Sequence, residues 1–208
     1  MEPSGNLKSL LESIPKEIAI VAATKYACAM DMKKLLAYGI CNFGENRADV
    51  FLQKYDELKE EEILWHFIGH LQTNKAKEVL PKIHVLHSLD SLRLAQIIEK
   101  VREEPLDCYI EVNINEETQK NGIQVQDLSA FIKALEAYPK VNVIGLMMMS
   151  TKEGSSQEKL QQFLALAKLR DAVNPSLGLS MGMSDDYQEA IQAKATTLRL
   201  GRILWEMK

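Results

Sequence analysis

The chain has 208 residues, 46% hydrophobic and 26% charged, which suits one globular domain with a core large enough to need no disulfide or metal staple. Lys and Arg number 25 against 29 Asp and Glu, a formal charge of -4, which argues against a general nucleic-acid binder with a basic surface. Cys28, Cys41 and Cys108 show no CxxC spacing, so neither a disulfide framework nor a cysteine zinc cage is expected and a reducing compartment fits best.

Short β-rich segments alternate with amphipathic ones along the chain. Ile18–Thr24 reads as strand one and Asp31–Tyr38 as a helix. Gly39–Phe43 is the second strand, and Arg47–Lys59 the helix after it. Leu64–Ile68 is the third, followed by a short helix, Asn74–Leu80, that Pro81 stops. Ile83–Leu86 is the fourth, with a helix over Ser91–Arg102. Cys108–Ile114 is the fifth, followed by a polar loop and the helix Val125–Tyr138. Val141–Met147 is the sixth, followed by the helix Gln157–Val173. Leu177–Met181 is a weak seventh, with a helix from Asp185 to Lys194, and Thr197–Leu200 is the eighth. A period of roughly 25 residues implies parallel βαβ units. Eight of them, with a helix before strand one, predict a closed (β/α)8 TIM barrel as one domain over 1–208. An open doubly wound sheet is the rival, but ATKYACAMD after strand one lacks the Gly-rich turn of that fold.

In such a barrel chemistry sits at the strands' C-terminal ends. Three ends stand out. Lys25 closes a strand whose same-face residues Ala19, Val21 and Ala23 leave room for a ligand. Desolvation there would make its amine nucleophilic; a lysine leaving the rim for solvent is the simpler reading of the pattern. In MGMSDD, Ser184 is placed to cap a helix beginning at Asp185 and Asp186. A phosphate there requires that both carboxylates point away. In RLGR, Gly201 would admit a ligand close to the backbone. Arg199 could instead pair with Glu111 inside the barrel. His66 and His70 share no helical face, so a metal site is not expected. The opening segment is not read as a signal peptide, and no apolar run approaches the ~20 residues of a membrane span. The expectation is a cytoplasmic protein without membrane or nucleic-acid contacts.

The pieces AATKYA, FGENR, WHFIGHLQTNKAK, GLMMMS, LSMGMSDDYQEAI and LRLGR resemble the pyridoxal phosphate homeostasis (YggS/PROSC) family, from about residue 7 to 205. Its fold is similar to the barrel domain of alanine racemase. The resemblance implies that Lys25 forms the internal aldimine with pyridoxal 5'-phosphate and that Ser184, Gly201 and Arg202 hold the phosphate. It also implies that Arg199 faces the pyridine nitrogen and that Asn46, His66 and Met147 line the pocket. It implies a monomeric carrier with weak or no catalysis, whose partners include apo-enzymes that use the cofactor. A PLP-dependent racemase is the alternative. That activity needs a second base, and Tyr26 is not expected to serve because adjacent strand residues face apart.

Overall fold

Helix α1 (Leu7–Ser13) precedes β1 (Ala19–Ala23), and strands and helices then alternate to the end: α2 (Ala29–Leu36), β2 (Asn42–Glu45), α3 (Ala48–Glu57), β3 (Leu64–Phe67), α4 (Thr73–Val79), β4 (Val85–Leu89), α5 (Leu92–Val101), β5 (Leu106–Asn113), β6 (Ile123–Gln124), α6 (Leu128–Leu135), β7 (Val141–Met147), α7 (Ser156–Val173), β8 (Gly178–Ser180), α8 (Tyr187–Gln192) and β9 (Thr197–Leu200). The computed structural model describes residues 1–115 and 121–206; part of the expected polar loop after β5 lies outside them. The strands run in the order β4-β3-β2-β1-β9-β8-β7-β5, and a β4–β5 pairing closes the ring. Two-residue β6 joins β5 outside this circuit. All pairings in the circuit are parallel. Eight strands closed on themselves and wrapped by helices are the expected (β/α)8 barrel, and the β4–β5 contact removes the open-sheet rival.

Local chemistry sets the boundaries. Ser155 caps α7 by accepting from the Glu158 amide at 3.3 Å, while Glu158 accepts from the Ser155 amide at 2.7 Å, a reciprocal capping box. Ser91 accepts from the Leu94 amide to start α5. Pro81 lies in a single 3₁₀ turn, Leu80–Lys82, that ends α4. Between the helices and the ring lies the apolar core, with Phe51 packed edge-on against Trp65 at 5.4 Å.

Two strands sit further along the chain than the sequence pattern predicts. Gly39 begins no strand; it ends α2 with φ +79°, its amide bonded to the Leu36 carbonyl, as a left-handed glycine at a helix C-terminus does. The ladder then starts at Asn42. Strand β4 runs through His87 and Ser88, both fully buried. Polar residues that face the barrel's interior hide a strand from a search for apolar runs. Inside the ring, Gly145 and Gly178 are register partners and make room for Tyr109: a Cβ at Gly145 would lie 2.5 Å from the Tyr109 ring.

Candidate functional site

A line of hydrogen bonds threads the barrel interior and ends beneath its mouth. Arg199 Nη1 donates to Ser180 Oγ at 2.6 Å, and Nη2 to the Met148 carbonyl at 2.9 Å. Ser180 Oγ lies 2.8 Å from His87 Nδ1, His87 Nε2 lies 2.9 Å from His66 Nδ1, and His66 Nε2 lies 3.0 Å from Asn42 Oδ1. An amide oxygen can only accept, so His66 Nε2–H donates to Asn42 Oδ1. With both imidazoles neutral, as their burial favours, His87 Nε2–H then donates to His66 and the Ser180 hydroxyl to His87, and both rings are Nε2–H tautomers. Burial, with His84 adding to it, pushes His66 down to about 4. Burial, then His66 and Arg199, hold His87 well below its ordinary value. Arg199, 3% exposed, is lowered to about 10 by burial, against the opposing pull of Glu111, Asp186 and Tyr109, and stays charged at neutral pH. The expected Arg199–Glu111 pair is replaced by the Ser180 and Met148 contacts; Glu111 acts on Arg199 only through its field. Burial and the nearby Asp90 raise Glu111 itself to about 7.

Above this floor a cavity of about 590 Å³ opens at the C-terminal ends of the strands. Its walls include Ala23, Lys25, Tyr26, Lys152, Met183, Ser184, Arg199, Gly201, Arg202 and Trp205. Five residues singled out in the sequence thus meet there: Lys25, Ser184, Arg199, Gly201 and Arg202. Three others do not line it. His66 is buried in the hydrogen-bonded line, and Met147 is buried at the end of β7, in register with Ser180. Asn46 follows β2 and packs against Gly69, and its Oδ1 is buried without a partner.

The far wall of the cavity presents main-chain donors. Ser184 Oγ accepts from the Gly201 amide at 3.1 Å and from the Ile203 amide at 3.3 Å. Ser184 is therefore not a helix cap, contrary to expectation. Helix α8 starts only at Tyr187, and Asp186 accepts from the Met183 amide at 2.6 Å and from Ser150 Oγ at 2.5 Å. Asp185 pairs with Arg202. Both carboxylates of MGMSDD are thus engaged, and the Gly201 and Ile203 amides converge on the Ser184 hydroxyl oxygen.

The near wall corrects one further expectation. Lys25 is solvent-exposed, as the simpler reading of the strand pattern has it. Tyr26, 72% exposed, lines the same cavity, and Lys25 Nζ stands 5.0 Å from its ring centroid. The ladder of β1 ends at Ala23, so residues 25 and 26 lie in a turn and strand alternation no longer separates their side chains. Sequence reasoning also missed Lys152 and Trp205 in the cavity wall and His87 and Ser180 beneath it. The last two could have been found from the inward, every-second-residue positions of their strands. Among the described residues no three metal-ligating side chains come together, and no helix is long and apolar enough to cross a membrane.

Fold and cavity together define a (β/α)8 barrel whose mouth has an amine, Lys25, at one wall and Ser184, Gly201 and Arg202 at the other. Residues 5–207 match the family described as alanine racemase, N-terminal domain. The pyridoxal phosphate homeostasis protein of Aquifex aeolicus is 34% identical over 194 residues, 89% of this chain and 85% of that protein. Its counterpart in Pseudomonas aeruginosa is 34% identical over 198 residues, 92% and 85% of the two chains. The chain belongs to the pyridoxal phosphate homeostasis proteins, within the alanine racemase N-terminal domain family. PipY of Synechococcus elongatus, solved with PLP bound, superposes with a TM-score of 0.85 at 28% identity, over 97% of this chain and 98% of PipY. Alanine racemase from Corynebacterium glutamicum shares the fold, with a TM-score of 0.73 at 15% identity over 97% of this chain and 59% of that one.

Proposed function

We propose that the chain carries pyridoxal 5'-phosphate reversibly, as a Schiff base on Lys25, and serves the intracellular balance of that cofactor and of amino acids without strong catalysis. One observation carries this reading. Lys25, Arg199, Ser184, Gly201 and Arg202 open on a single cavity, and their chemistry matches an aldehyde, a ring nitrogen and a phosphate of one molecule. The residues fit the group: the Gly201 and Ile203 amides already converge on one oxygen, as they must for a phosphate oxygen. The PLP-bound PipY neighbour supports the same ligand.

When bound, the cofactor supplies an aldehyde that condenses with amines and a ring that can accept electron density. The chain's own residues do the rest. Ser184 and the two amides bind the phosphate, and Arg202 adds charge beside them. Ser180 and the Met148 carbonyl hold Arg199 in place. A permanent positive charge beside the ring nitrogen disfavours a second one there, which keeps the ring a weak electron sink. Asn46, His66 and Met147 do not line the cavity: His66 steadies the line that ends on Arg199, Met147 is buried in register with Ser180, and Asn46 packs against Gly69. The protein acts as a cytoplasmic monomer, and apo-enzymes that use the cofactor are its proposed recipients.

The racemase alternative gains one observation, Tyr26 in the cavity wall. Its ring lies beside Lys25 Nζ, 5.0 Å from it. Racemisation needs proton transfer on both faces of the α carbon, and the carrier reading holds that this pair does not provide it. The test is the absorption spectrum of the protein mixed with pyridoxal phosphate, followed by incubation with L-alanine in heavy water. A visible band abolished by borohydride, with little α-deuteration or inversion, is expected. No band removes the carrier reading, and rapid inversion restores the racemase.

A further inference from the structure

Directly before Lys25 lies a buried ionic cluster that the cavity does not use. Lys54, on α3, pairs with Glu45, at the end of β2; their side chains are 8% and 0% exposed. Both partners also grip Thr24, itself fully buried. Lys54 Nζ donates to the Thr24 carbonyl at 2.7 Å, and Thr24 Oγ1 donates to Glu45 Oε1 at 2.5 Å. The same carbonyl accepts from the Ala27 amide at 2.9 Å, and the Thr24 amide donates to the Gly44 carbonyl at 3.0 Å. Every polar atom of Thr24 is thus tied down. Its carbonyl belongs to the peptide that carries the Lys25 nitrogen, so the cluster fixes the plane from which Lys25 departs. Lys54 and Lys25 also share the wall of a second cavity, about 220 Å³.

Stability is a poor reason for such a cluster. Taking two charges out of water costs several kcal/mol per ion, and apolar replacements of similar shape are often neutral or stabilising. Here the second Glu45 oxygen, Oε2, is buried with no partner at all, which adds to that cost. What the pair supplies is direction: its bonds converge on one residue, where β1 stops and the chain turns.

We propose that Glu45 and Lys54 are positioning residues for Lys25, fixing the Thr24–Lys25 peptide so that the amine meets the aldehyde of a cofactor seated on Ser184 and Gly201. This rests on the cofactor reading above. The pair touches neither ligand nor reacting atoms, and it acts through the backbone.

The experiment compares two ligands. Pyridoxal phosphate reports condensation, followed by stopped-flow absorbance. 4'-Deoxypyridoxine phosphate, which has no aldehyde, reports seating alone, followed by calorimetry. The variants are the double substitution Glu45→Gln/Lys54→Met, which removes both buried charges together, and Thr24→Val, which keeps the ion pair but cuts its link to the hydroxyl. Condensation is expected to slow about tenfold or more in the double variant, the scale of losing a near-attack geometry, and several-fold in Thr24→Val. The aldehyde-free analogue should bind both variants within twofold of the parent. Unchanged condensation overturns the proposal. So does a loss equal for both ligands, because a merely structural role would move both. If the double variant does not fold, Thr24→Val decides by the same two readouts. Failure of the cofactor reading is recognised separately: the parent protein itself would then form no adduct on Lys25, and the proposal would fall with it.

Discussion

Along the line from Asn42 through His66, His87 and Ser180 to Arg199, each side chain is buried or half-buried and hydrogen-bonded to the next. At the level of Ala23 and Gly201 the construction changes: Lys25 and Tyr26 are exposed, and both they and Gly201 line an open cavity. The lower region is filled by packed, hydrogen-bonded side chains, whereas the upper one opens on a cavity of about 590 Å³. The same strands thus supply a packed floor, which orients one charged group, and a mouth that opens on the cavity.

The sharpest way to break this contrast is to add a methyl group in the lower region and to remove a hydroxyl in the upper one. At Gly145 a Cβ would meet the Gly178 carbonyl and the Tyr109 ring, each at 2.5 Å. Gly145→Ala is expected to lower stability by ~1–3 kcal/mol or more, the cost of overpacking, read as a drop in thermal midpoint. Ser184→Ala probes the mouth and should weaken pyridoxal phosphate binding by ~1–3 kcal/mol, the cost of losing a hydrogen bond to a charged group. Pyridoxal, without the phosphate, should bind it nearly as before; an equal loss for both ligands contradicts a phosphate role.

A smaller effect is expected from pH. The folded values of His66, at about 4, and of His87 lie below the ordinary 6.5. Unfolding therefore takes up protons below pH 6.5, and stability falls as pH falls through that range. Glu111, at about 7 against an ordinary 4.5, works the other way: its contribution is complete below pH 4.5 and is lost as pH rises through 7. Two histidines against one carboxyl give a net decline on acidification. Glu111→Gln removes the offset, so its stability should fall more steeply between pH 6.5 and 4.5 in denaturant titrations. A shallower decline would reverse this assignment. The smallest effect belongs to Gly201→Ala. A Cβ there would meet nothing closer than the Ala23 carbonyl at 3.5 Å, so stability should stay within ~0.5 kcal/mol of the parent.

The same division explains what was legible in the sequence. Strands with apolar, β-branched interiors, such as β1, β7 and β9, were visible within about a residue or two of their true bounds. Strands β2 and β4 were displaced because their inward residues are Asn42, Gly44 and His87, which a search for apolar runs passes over. The strand ends pointed to Lys25, Ser184 and the Arg199–Arg202 segment, the resemblance gave them roles, and the structure gathers them in one cavity. Geometry past the end of a strand was not legible. Tyr26 enters the cavity because the β1 ladder stops at Ala23, and Asp186 rather than Ser184 turns back on the Met183 amide. Long-range partners escaped for a different reason: Ser180 and His87 are 93 positions apart in the chain, and no local pattern joins them.

Covalent trapping tests the central claim most directly. The protein is loaded with pyridoxal phosphate, reduced with borohydride, digested and mapped by mass spectrometry. The adduct is expected on Lys25 and should be absent from Lys25→Ala, which keeps its phosphate site and should still bind the aldehyde-free analogue. An adduct on Lys75, on Lys120, which lies outside the described residues, or on Lys152, which also lines the cavity, would contradict the assignment.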